Sequence, residues 1–327
     1  MLKNKNSPNF TKNPKILIAL TAFLTIMYLL SFTKSCSSSD KREKVKTALV
    51  NQKYLNSINS ITLKDATAEI ILTKVDNFWT ITKTTKSEKG PLQLRVDIPV
   101  STERINNFLN ELTKIRSLYK ISDKINKNSA LGLNNGTEFH ILYEYSASQD
   151  SSNSHELIFG NQDFSLSSRY MMTGSNTQVY EIDGSLDIYL TTSVQSWAEP
   201  YIISKEVIST DIQTITVTKN GDKKSEKTVI KKHDGKSQEV SKLLDLRHGG
   251  IPTSDEILAS YQEIPLLRLD IENGDKSSVI LKINPLENQE NTYCVEALYC
   301  DSKGYQFYNS YSTISSWTYN KIIEIML

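Results

Sequence analysis

LLRLDIENGDKSSVILKI, residues 266–283, carries the clearest signal for the fold of this chain. Two runs rich in apolar residues flank Asn273-Gly274, a dipeptide that strongly favours a tight hairpin turn. Short apolar runs bounded by turn residues are typical of strands. The stretch therefore predicts a hairpin of two strands, residues 266–272 and 278–283, within an antiparallel sheet.

More strands and two helices are predicted around this hairpin. The strands are residues 212–218, 226–232, 293–299 and 305–308. A capping box, Thr253-x-x-Glu256, predicts a helix over residues 254–264. A closing helix is predicted over residues 311–325. Its expected apolar contacts are Ile314, Trp317, Ile322 and Ile325. Together these elements predict one unit, residues 208–327.

The preceding part of the chain shows a similar order of elements. Its predicted strands are residues 58–63, 69–73, 78–83, 138–145, 155–159, 169–173 and 178–182. A long helix capped by Ser101 is predicted over residues 100–120, because apolar residues recur at spacings of three and four. That apolar stripe consists of Ile105, Phe108, Leu109, Leu112 and Ile115. A second helical segment, residues 185–197, ends in Trp197.

Two units, residues 58–204 and 208–327, therefore share one predicted order: a hairpin, a capped helix, a four-stranded meander and a closing helix with a tryptophan. We interpret this order as an internal duplication. Antiparallel sheets with helices on one face belong to the α+β class. The predicted fold is thus α+β, with two similar units of antiparallel sheet after an N-terminal transmembrane helix.

That transmembrane helix is predicted from ILIALTAFLTIMYLLSF, residues 16–32, which lies between Lys15 and Lys34. A helix of this length roughly matches the hydrocarbon thickness of a bilayer. Lysines without acidic residues precede it, so the positive-inside tendency keeps the amino terminus cytoplasmic. We expect a single-pass protein of the cytoplasmic membrane whose carboxy-terminal domain is extracytoplasmic, in the periplasm.

The predicted order at the amino terminus is a cytoplasmic tail (1–15), an anchor (16–34) and a polar linker (35–57) with a short lead-in helix at 45–57. A removed signal peptide is an alternative, although the sequence before Cys36 lacks the small residues of a cleavage site. Lipidation of Cys36 is another alternative. Both alternatives stay open at this point.

The composition narrows the function classes. The net charge is +1, so nothing suggests binding to nucleic acid. Three cysteines are too few for a disulfide scaffold, and Cys294 and Cys300 are expected to be reduced core residues. The four histidines are scattered, at positions 140, 155, 233 and 248, so a zinc site is not predicted. No hydrolase, metalloprotease or nucleotide-binding signature occurs. We therefore predict no catalytic, cofactor-binding or metal-binding residues, no cofactor and no enzyme, and the binding residues are unknown.

Two other segments each have two interpretations. The predicted hairpin at residues 219–236 carries seven lysines and is either a contact for anionic groups or a solvated sheet edge that its lysines keep from pairing. The carboxy-terminal aromatic residues either form a platform for a sugar or peptide or pack inward. They are Tyr293, Tyr299, Tyr305, Phe307, Tyr308, Tyr311, Trp317 and Tyr319.

Several short motifs resemble one bacterial family. They are Asn77-Phe78-Trp79, Leu131-Gly132-Leu133, Glu156-Leu157-Ile158-Phe159-Gly160, Arg169-Tyr170 and Val179-Tyr180-Glu181-Ile182. With the single anchor, they resemble the domain-of-unknown-function family 4340. Asn135 stands where the family commonly has proline. The motifs cover the first unit well and the second unit only by its element order.

The resemblance implies an anchored envelope protein related to the auxiliary proteins of gliding-motility-type ABC transporters, and it implies no catalytic residues. The leading hypothesis is therefore a non-catalytic accessory or substrate-contacting component of an ABC-type transport or gliding-motility-like complex. Its partners would be the membrane, through the N-terminal helix, and ABC-type permease or auxiliary subunits. The alternatives are an independent ligand-binding or structural envelope module and, third, an envelope hydrolase.

Overall fold

The computed structural model describes residues 18, 21–25, 28, 42–75, 78–86, 93–123, 131–133, 136–148, 151–174, 178–205, 207, 211–220, 225–231, 237–287 and 289–326. Antiparallel strand is the main element of this part of the chain, arranged in two sheets of different size and strand order. The prediction of an α+β fold with two similar units after an N-terminal transmembrane helix is therefore wrong.

The first sheet has ten strands within the described ranges. They are β1 (Lys44–Thr47), β2 (Ile58–Lys64), β3 (Glu69–Val75), β4 (Phe78–Lys86), β5 (Gln93–Pro99), β6 (Arg116–Ser122), β7 (Phe139–Ser148), β8 (Ser151–Gln162), β9 (Ser168–Thr173) and β10 (Val179–Asp183). Their order across the sheet is β1-β6-β10-β9-β8-β7-β2-β3-β4-β5, and every neighbouring pair is antiparallel.

The second sheet has six strands in the same described part. They are β11 (Ile212–Asn220), β12 (Ser225–Lys231), β13 (Leu267–Asn273), β14 (Ser278–Pro285), β15 (Thr292–Cys300) and β16 (Gln306–Ser315). The order is β12-β11-β13-β14-β15-β16. The predicted hairpin of β13 and β14 is confirmed, but its turn centres on residues 274–276. Lys276, with φ 67°, adopts the left-handed conformation there.

The helices are short. They are α1 (Thr102–Thr113), α2 (Val194–Trp197), α3 (Ser237–Leu244), α4 (Ser254–Ser260) and α5 (Ser316–Met326), with 3-10 helices at Gln52–Ser57 and Gly184–Tyr189. The capping box of α4 is confirmed, because Thr253 and Glu256 each bond to the other's backbone. None of the helices in the described residues combines the length and apolarity needed to cross a membrane.

The predicted helix over residues 100–120 is half right. Ser101 caps α1 as expected, but the helix ends at Thr113 and residues from Arg116 onward form β6. The side chain of Arg116 is 3% exposed and bonds to Ser185 at 2.7 Å and to Asp183 at 3.2 Å, which ties β6 to β10. Tertiary contacts thus override the helical spacing of this segment.

Three other helix predictions are corrected. Residues 45–57 form part of β1 and a 3-10 helix, and residues 185–197 form a 3-10 helix, an extended link and α2. Residues 311–315 continue β16, so the closing helix begins only at Ser316. In each case strand pairing or a tight turn determines the conformation, although the apolar spacing weakly fits a helix, because short helices have little stability of their own.

The predicted similarity of the two units fails in detail. Trp197 is completely buried, whereas Trp317 is 71% exposed. Helices also lie on both faces of the second sheet: α4 packs near Cys294, and α5 stacks Tyr319 on Tyr293, which points to the opposite face. The two sheets therefore have different surroundings.

The sheets meet along β4, β5 and β16. Trp79 and Ile81 belong to the core of the first sheet, while Phe78 belongs to the core of the second. Phe78 meets Tyr308 edge to face, with ring centroids 5.2 Å apart. Since residues 78–81 of β4 are buried on both faces, this part of the strand joins the two cores.

Of the predicted anchor, residues 16–34, only residues 18, 21–25 and 28 are described, and these are helical. The rest of that stretch, the tail at 1–15 and Cys36 lie outside the described residues. The linker was predicted to reach residue 57, but β1 already belongs to the first sheet. The domain boundaries at 58–204 and 208–327 stay a prediction.

Candidate functional site

The hairpin of β7 and β8 extends past the neighbouring strand β9. Its two strands pair as far as Ser148 and Ser151, but β9 pairs with β8 only from Leu157 onward. In the described part of the chain, residues 151–155 have no strand on the β9 side. Five residues of strand correspond to roughly 17 Å of free edge.

Gly174 marks the point where β9 stops. Its N–H donates to the carbonyl of Glu156 at 2.9 Å, and among the described residues this is the last bond between the β9 segment and β8. A Cβ at Gly174 would lie 2.6 Å from the Glu156 carboxylate, so the close approach requires glycine. Residues 175–177 lie outside the described residues; within the described part, β8 continues to Ser151 paired with β7 only.

The direction of the free backbone groups follows from this bond. In a strand, the N–H and C=O of one residue point to the same side, and the groups of alternate residues repeat that direction. The Glu156 carbonyl points to the β9 side. The backbone groups of Ser154 and Ser152 therefore point to the same side, where no described strand meets them.

Aromatic rings support the extended hairpin on its buried face. Tyr143 and Tyr145 are 6% and 5% exposed, and Tyr145 stacks on Tyr54 of the first 3-10 helix with centroids 4.2 Å apart. The hydroxyl of Tyr145 and Nε2 of His155 are 3.2 Å apart. Lys53 Nζ lies 4.5 Å from the centroid of the Tyr54 ring. The hairpin is thus held from one side before any partner binds.

These contacts fix the protonation of the cluster. Burial raises the pKa of Tyr143 to about 12, so its hydroxyl stays protonated at neutral pH. The hydrogen bond with Tyr54 raises the pKa of Lys53 and lowers that of Tyr54. Lys53 therefore adds a stable positive charge beside the stacked rings.

A cleft of ≈ 390 Å³ lies between the free edge of β8 and the segment before the first 3-10 helix. Its lining includes Leu49, Tyr143, Ser154, His155, Leu157 and Thr173. The volume is within the range of ligand pockets, and the lining combines apolar side chains with a few polar groups. We call this place, with residues 151–155 of β8, the edge cleft. It can hold one apolar or aromatic group next to unpaired backbone.

The histidines have separate environments. His155 lines the edge cleft, while His140 Nδ1 lies 2.7 Å from Glu156 on the other face of the sheet. His248 Nε2 lies 2.6 Å from the Glu199 carbonyl, and burial lowers the pKa of His248. His233 lies outside the described residues. Among the residues that are described, no group of three or more potential ligands could hold a metal ion.

A second polar cluster lies under α4. Lys282 and Tyr311 both donate to the Glu296 carboxylate, at 2.9 Å each, in one row across three strands. Burial raises the pKa of the nearby Cys294 thiol to about 11, so it is not a thiolate at neutral pH. The cavity there measures only ≈ 40 Å³. This cluster therefore fits packing between strands better than binding.

Cys294 and Cys300 are buried free thiols, which confirms the prediction that they are reduced core residues.

The two ambiguous segments also have a place in the fold. β12 is an edge strand with Lys227 and Lys231 exposed, which confirms the interpretation as a lysine-bearing sheet edge; residues 221–224 and 232–236 lie outside the described part. The carboxy-terminal aromatics divide into an inward-packed group and an exposed group that includes Tyr305. Tyr293, Tyr299, Tyr308, Tyr311 and Tyr319 are buried or half-buried. Phe307 and Trp317, which are exposed, flank opposite ends of β16.

The motif residues of the first unit mostly build turns and packing contacts. Arg169 donates to the Gly160 carbonyl at 2.5 Å and to Asp187 at 2.7 Å. A Cβ at Gly160 would overlap the carbonyl of Leu131, so the turn before β7 packs directly on β8.

The edge cleft was not predicted from the sequence. One signal pointed to it: the polar run 151–156 (SSNSHE) lacks lysine and proline.

Residues 91–249 match a family model described as "Domain of unknown function (DUF4340)", which confirms the predicted family. The matched segment begins just before β5 and ends after α3, so it includes all three strands of the edge cleft. No curated protein and no solved structure matches the chain significantly.

Proposed function

Residues 91–249 match the DUF4340 family model, and on that premise we propose that this chain is a non-catalytic binding protein of the cell envelope. In this proposal it acts as an accessory or substrate-contacting component of an ABC-type transport or gliding-motility-like complex. Its partners are permease or auxiliary subunits, and it needs no cofactor.

The edge cleft is the observation that carries this proposal. It offers unpaired backbone groups and a cleft lined by both apolar and polar residues, which are means by which proteins bind extended or ring-shaped groups. His155 of the edge cleft forms one stack with residues beside the cleft, Tyr145, Tyr54 and Lys53. That arrangement favours holding a partner in place.

The proposed location rests on the sequence. The apolar stretch at residues 16–32 follows four lysines and favours association with the cytoplasmic membrane, with residues after Lys34 on the outer side. Fractionation of cells followed by protease treatment of spheroplasts tests this. We expect the chain in the membrane fraction and its carboxy-terminal part degraded. Recovery of the intact chain from the cytosol would contradict the location.

Site-specific crosslinking tests the function. A photoreactive amino acid replaces His155 in the edge cleft, and a matched variant carries it at Tyr305, which is 71% exposed and lies in the second sheet. We expect the first variant to crosslink in living cells to a transporter subunit that mass spectrometry identifies, and the second not to. If neither position crosslinks and the chain purifies without transporter subunits, the proposal fails.

An independent ligand-binding module is the second candidate, because the cleft volume of ≈ 390 Å³ suits a small ligand. This candidate predicts that the purified full chain binds a glycan or lipid with no transporter present. Deletion of any transporter subunit that the crosslinking identifies would then leave its cellular role unchanged, whereas the leading proposal predicts loss of that role.

A further inference from the structure

We propose that the free edge of β8, residues 151–155, binds an extended polypeptide segment of a partner protein as an added strand. This inference rests on the proposed binding function and specifies the chemistry of the partner. The partner contributes the backbone groups that β9 would supply if it continued, and one of its apolar side chains enters the edge cleft.

The geometry of the backbone favours a polypeptide over other ligands. Ser154 and Ser152 present N–H and C=O groups at the two-residue spacing of a strand, on the side where β9 has ended. Unpaired edges of this kind are templates for strand addition, in which main-chain bonds give affinity. A sugar or lipid offers no matching row of alternating donors and acceptors.

The other sheet edges are protected, which singles out this one. β12 carries Lys227 and Lys231, and the edge strand β1 carries Lys44 and Lys46, all exposed. The remaining edges, β5 and β16, lie beside each other. Lysines on an edge strand oppose pairing. Residues 151–155 contain neither lysine nor proline, so this run lacks the residues that protect the edges at β1 and β12.

The edge cleft adds side-chain specificity. Side chains of an added strand alternate between the two faces of the sheet, and the pocket lies on the face of Tyr143 and His155. Leu49, Tyr143 and Leu157 give part of the pocket an apolar lining, beside the polar Ser154, His155, Glu156 and Thr173, and we expect an apolar or aromatic side chain to contact the apolar part. Because Tyr54 already stacks on Tyr145, the hairpin loses little freedom when the partner binds.

The test begins with the full chain in detergent micelles and a phage-displayed library of linear twelve-residue peptides. Peptides are selected on the unmodified chain, and their Kd values are measured on Ser154→Pro and on the matched control Ser154→Ala. Proline removes the N–H that faces the partner, and edge positions tolerate proline because that N–H has no bond within the sheet. We expect Ser154→Pro to weaken binding at least tenfold and Ser154→Ala less than twofold.

A second measurement uses only the unmodified chain, so it stands even if Ser154→Pro does not fold. Each selected peptide is synthesised with N-methyl groups on either its odd or its even residues. An added strand uses the N–H groups of alternate residues. One set of N-methyl groups should therefore weaken binding at least tenfold, and the other set distinctly less.

Three results would overturn the inference: no peptide is enriched, both N-methyl sets act equally, or the folded Ser154→Pro variant binds like the unmodified chain. A dimer in analytical ultracentrifugation that Ser154→Pro dissolves would replace the partner with a second copy of this chain, and would also overturn it. If peptides fail but the His155 crosslink to a transporter subunit persists, the proposed function survives without strand addition.

Discussion

The hairpins β7–β8 and β13–β14 are built alike but end differently. In β13–β14, both strands are paired on their outer sides along nearly their whole length: β11 covers β13, and β15 covers every residue of β14. In β7–β8, the strand β8 runs about five residues beyond its neighbour β9. The first arrangement satisfies the sheet internally, while the second leaves backbone groups for a partner.

The chemistry of the two hairpins follows the same division. Leu269, Ile271, Leu281 and Ile283 of β13–β14 are all buried, so this hairpin contributes to the core of the second sheet. The extended end of β7–β8 reads SASQDSSNS, residues 146–154, and is polar except for Ala147. A polar hairpin end gains little from burial in its own domain, and only its base is held by aromatic rings.

The largest expected effect comes from removing the support of the extended hairpin. Tyr145→Ala deletes a buried ring that stacks on Tyr54, and we expect a loss of about 3 kcal/mol in the free energy of unfolding. Urea denaturation followed by circular dichroism measures it. Tyr305→Ala, at a position 71% exposed, is the control and should change stability by less than about 0.5 kcal/mol. Equal effects would mean that the hairpin needs no such support.

Exchanging lysine and serine between β8 and β12 tests whether edge lysines determine which strand edge can bind a partner. Ser154→Lys places on β8 an edge lysine like those of β12. We expect it to weaken peptide binding about tenfold, or about 1.4 kcal/mol. The reciprocal change, Lys227→Ser with Lys231→Ser, removes two exposed edge lysines of β12. That double variant should self-associate in light-scattering measurements. Unchanged peptide binding and a monodisperse double variant would show that lysines do not set the difference.

Aspartates in turns of the two sheets should contribute differently to the pH dependence of stability. Burial alone would raise the pKa of Asp65, but hydrogen bonds from Thr192 and Thr67 and the Thr67 and Ala68 N–H groups lower it to about 2. A carboxyl whose folded pKa lies below its unfolded value stabilises the fold above about pH 4, and this contribution is lost as pH falls toward 2. Because Asp65 is partly exposed, we expect a contribution of about 1 kcal/mol.

Asp65→Asn should therefore lower stability at pH 6 and match the unmodified chain near pH 2, as measured by thermal unfolding across that range. Asp275→Asn, in the turn of β13–β14, is the matched control. Asp275 bonds only to Ser277 within its own turn, so the expected loss is smaller. A pH-independent difference for Asp65→Asn would contradict this role.

The smallest expected effect concerns the turn of β13–β14. Lys276 has φ 67°, a conformation that costs a side chain about 1 kcal/mol or more and costs glycine little. Glycine also makes the unfolded chain more flexible, which offsets part of this gain. Lys276→Gly should therefore raise the free energy of unfolding by about 0.5 kcal/mol. Lys303→Gly, in the β15–β16 turn, is the control and should not stabilise. A lower denaturation midpoint for Lys276→Gly would contradict the observed turn.

Much of the strand pattern was predictable, because alternation and turn residues act locally. The runs at 138–145, 169–173 and 278–283 all lie in strands. β6 was not predictable in this way, since its apolar spacing also fits a helix. Buried contacts of Arg116 with Ser185 and Asp183, nearly 70 residues away, accompany its strand conformation. Trp317 was expected to be buried like Trp197, and no local signal distinguishes them.

The edge cleft could not be predicted, because it depends on where two strands stop relative to each other. His155 appeared as one of four scattered histidines, and nothing local links it to Tyr54, about one hundred residues earlier. Strand ends are the least certain part of any sequence interpretation. The contrast between the lysine-free run 151–156 and the lysine-rich segment 219–236 was visible, but its meaning required the sheet order.

Amide hydrogen exchange of the full chain in micelles, with and without a selected peptide, tests the central claim most directly. The Ser154 amide should exchange rapidly in the free chain and at least tenfold more slowly with the peptide, while Lys227 and Val229 of β12 stay unchanged. Exchange at Ser154 that is already slow in the free chain, or that the peptide leaves unaltered, would contradict the claim that β8 offers a free edge for a partner strand.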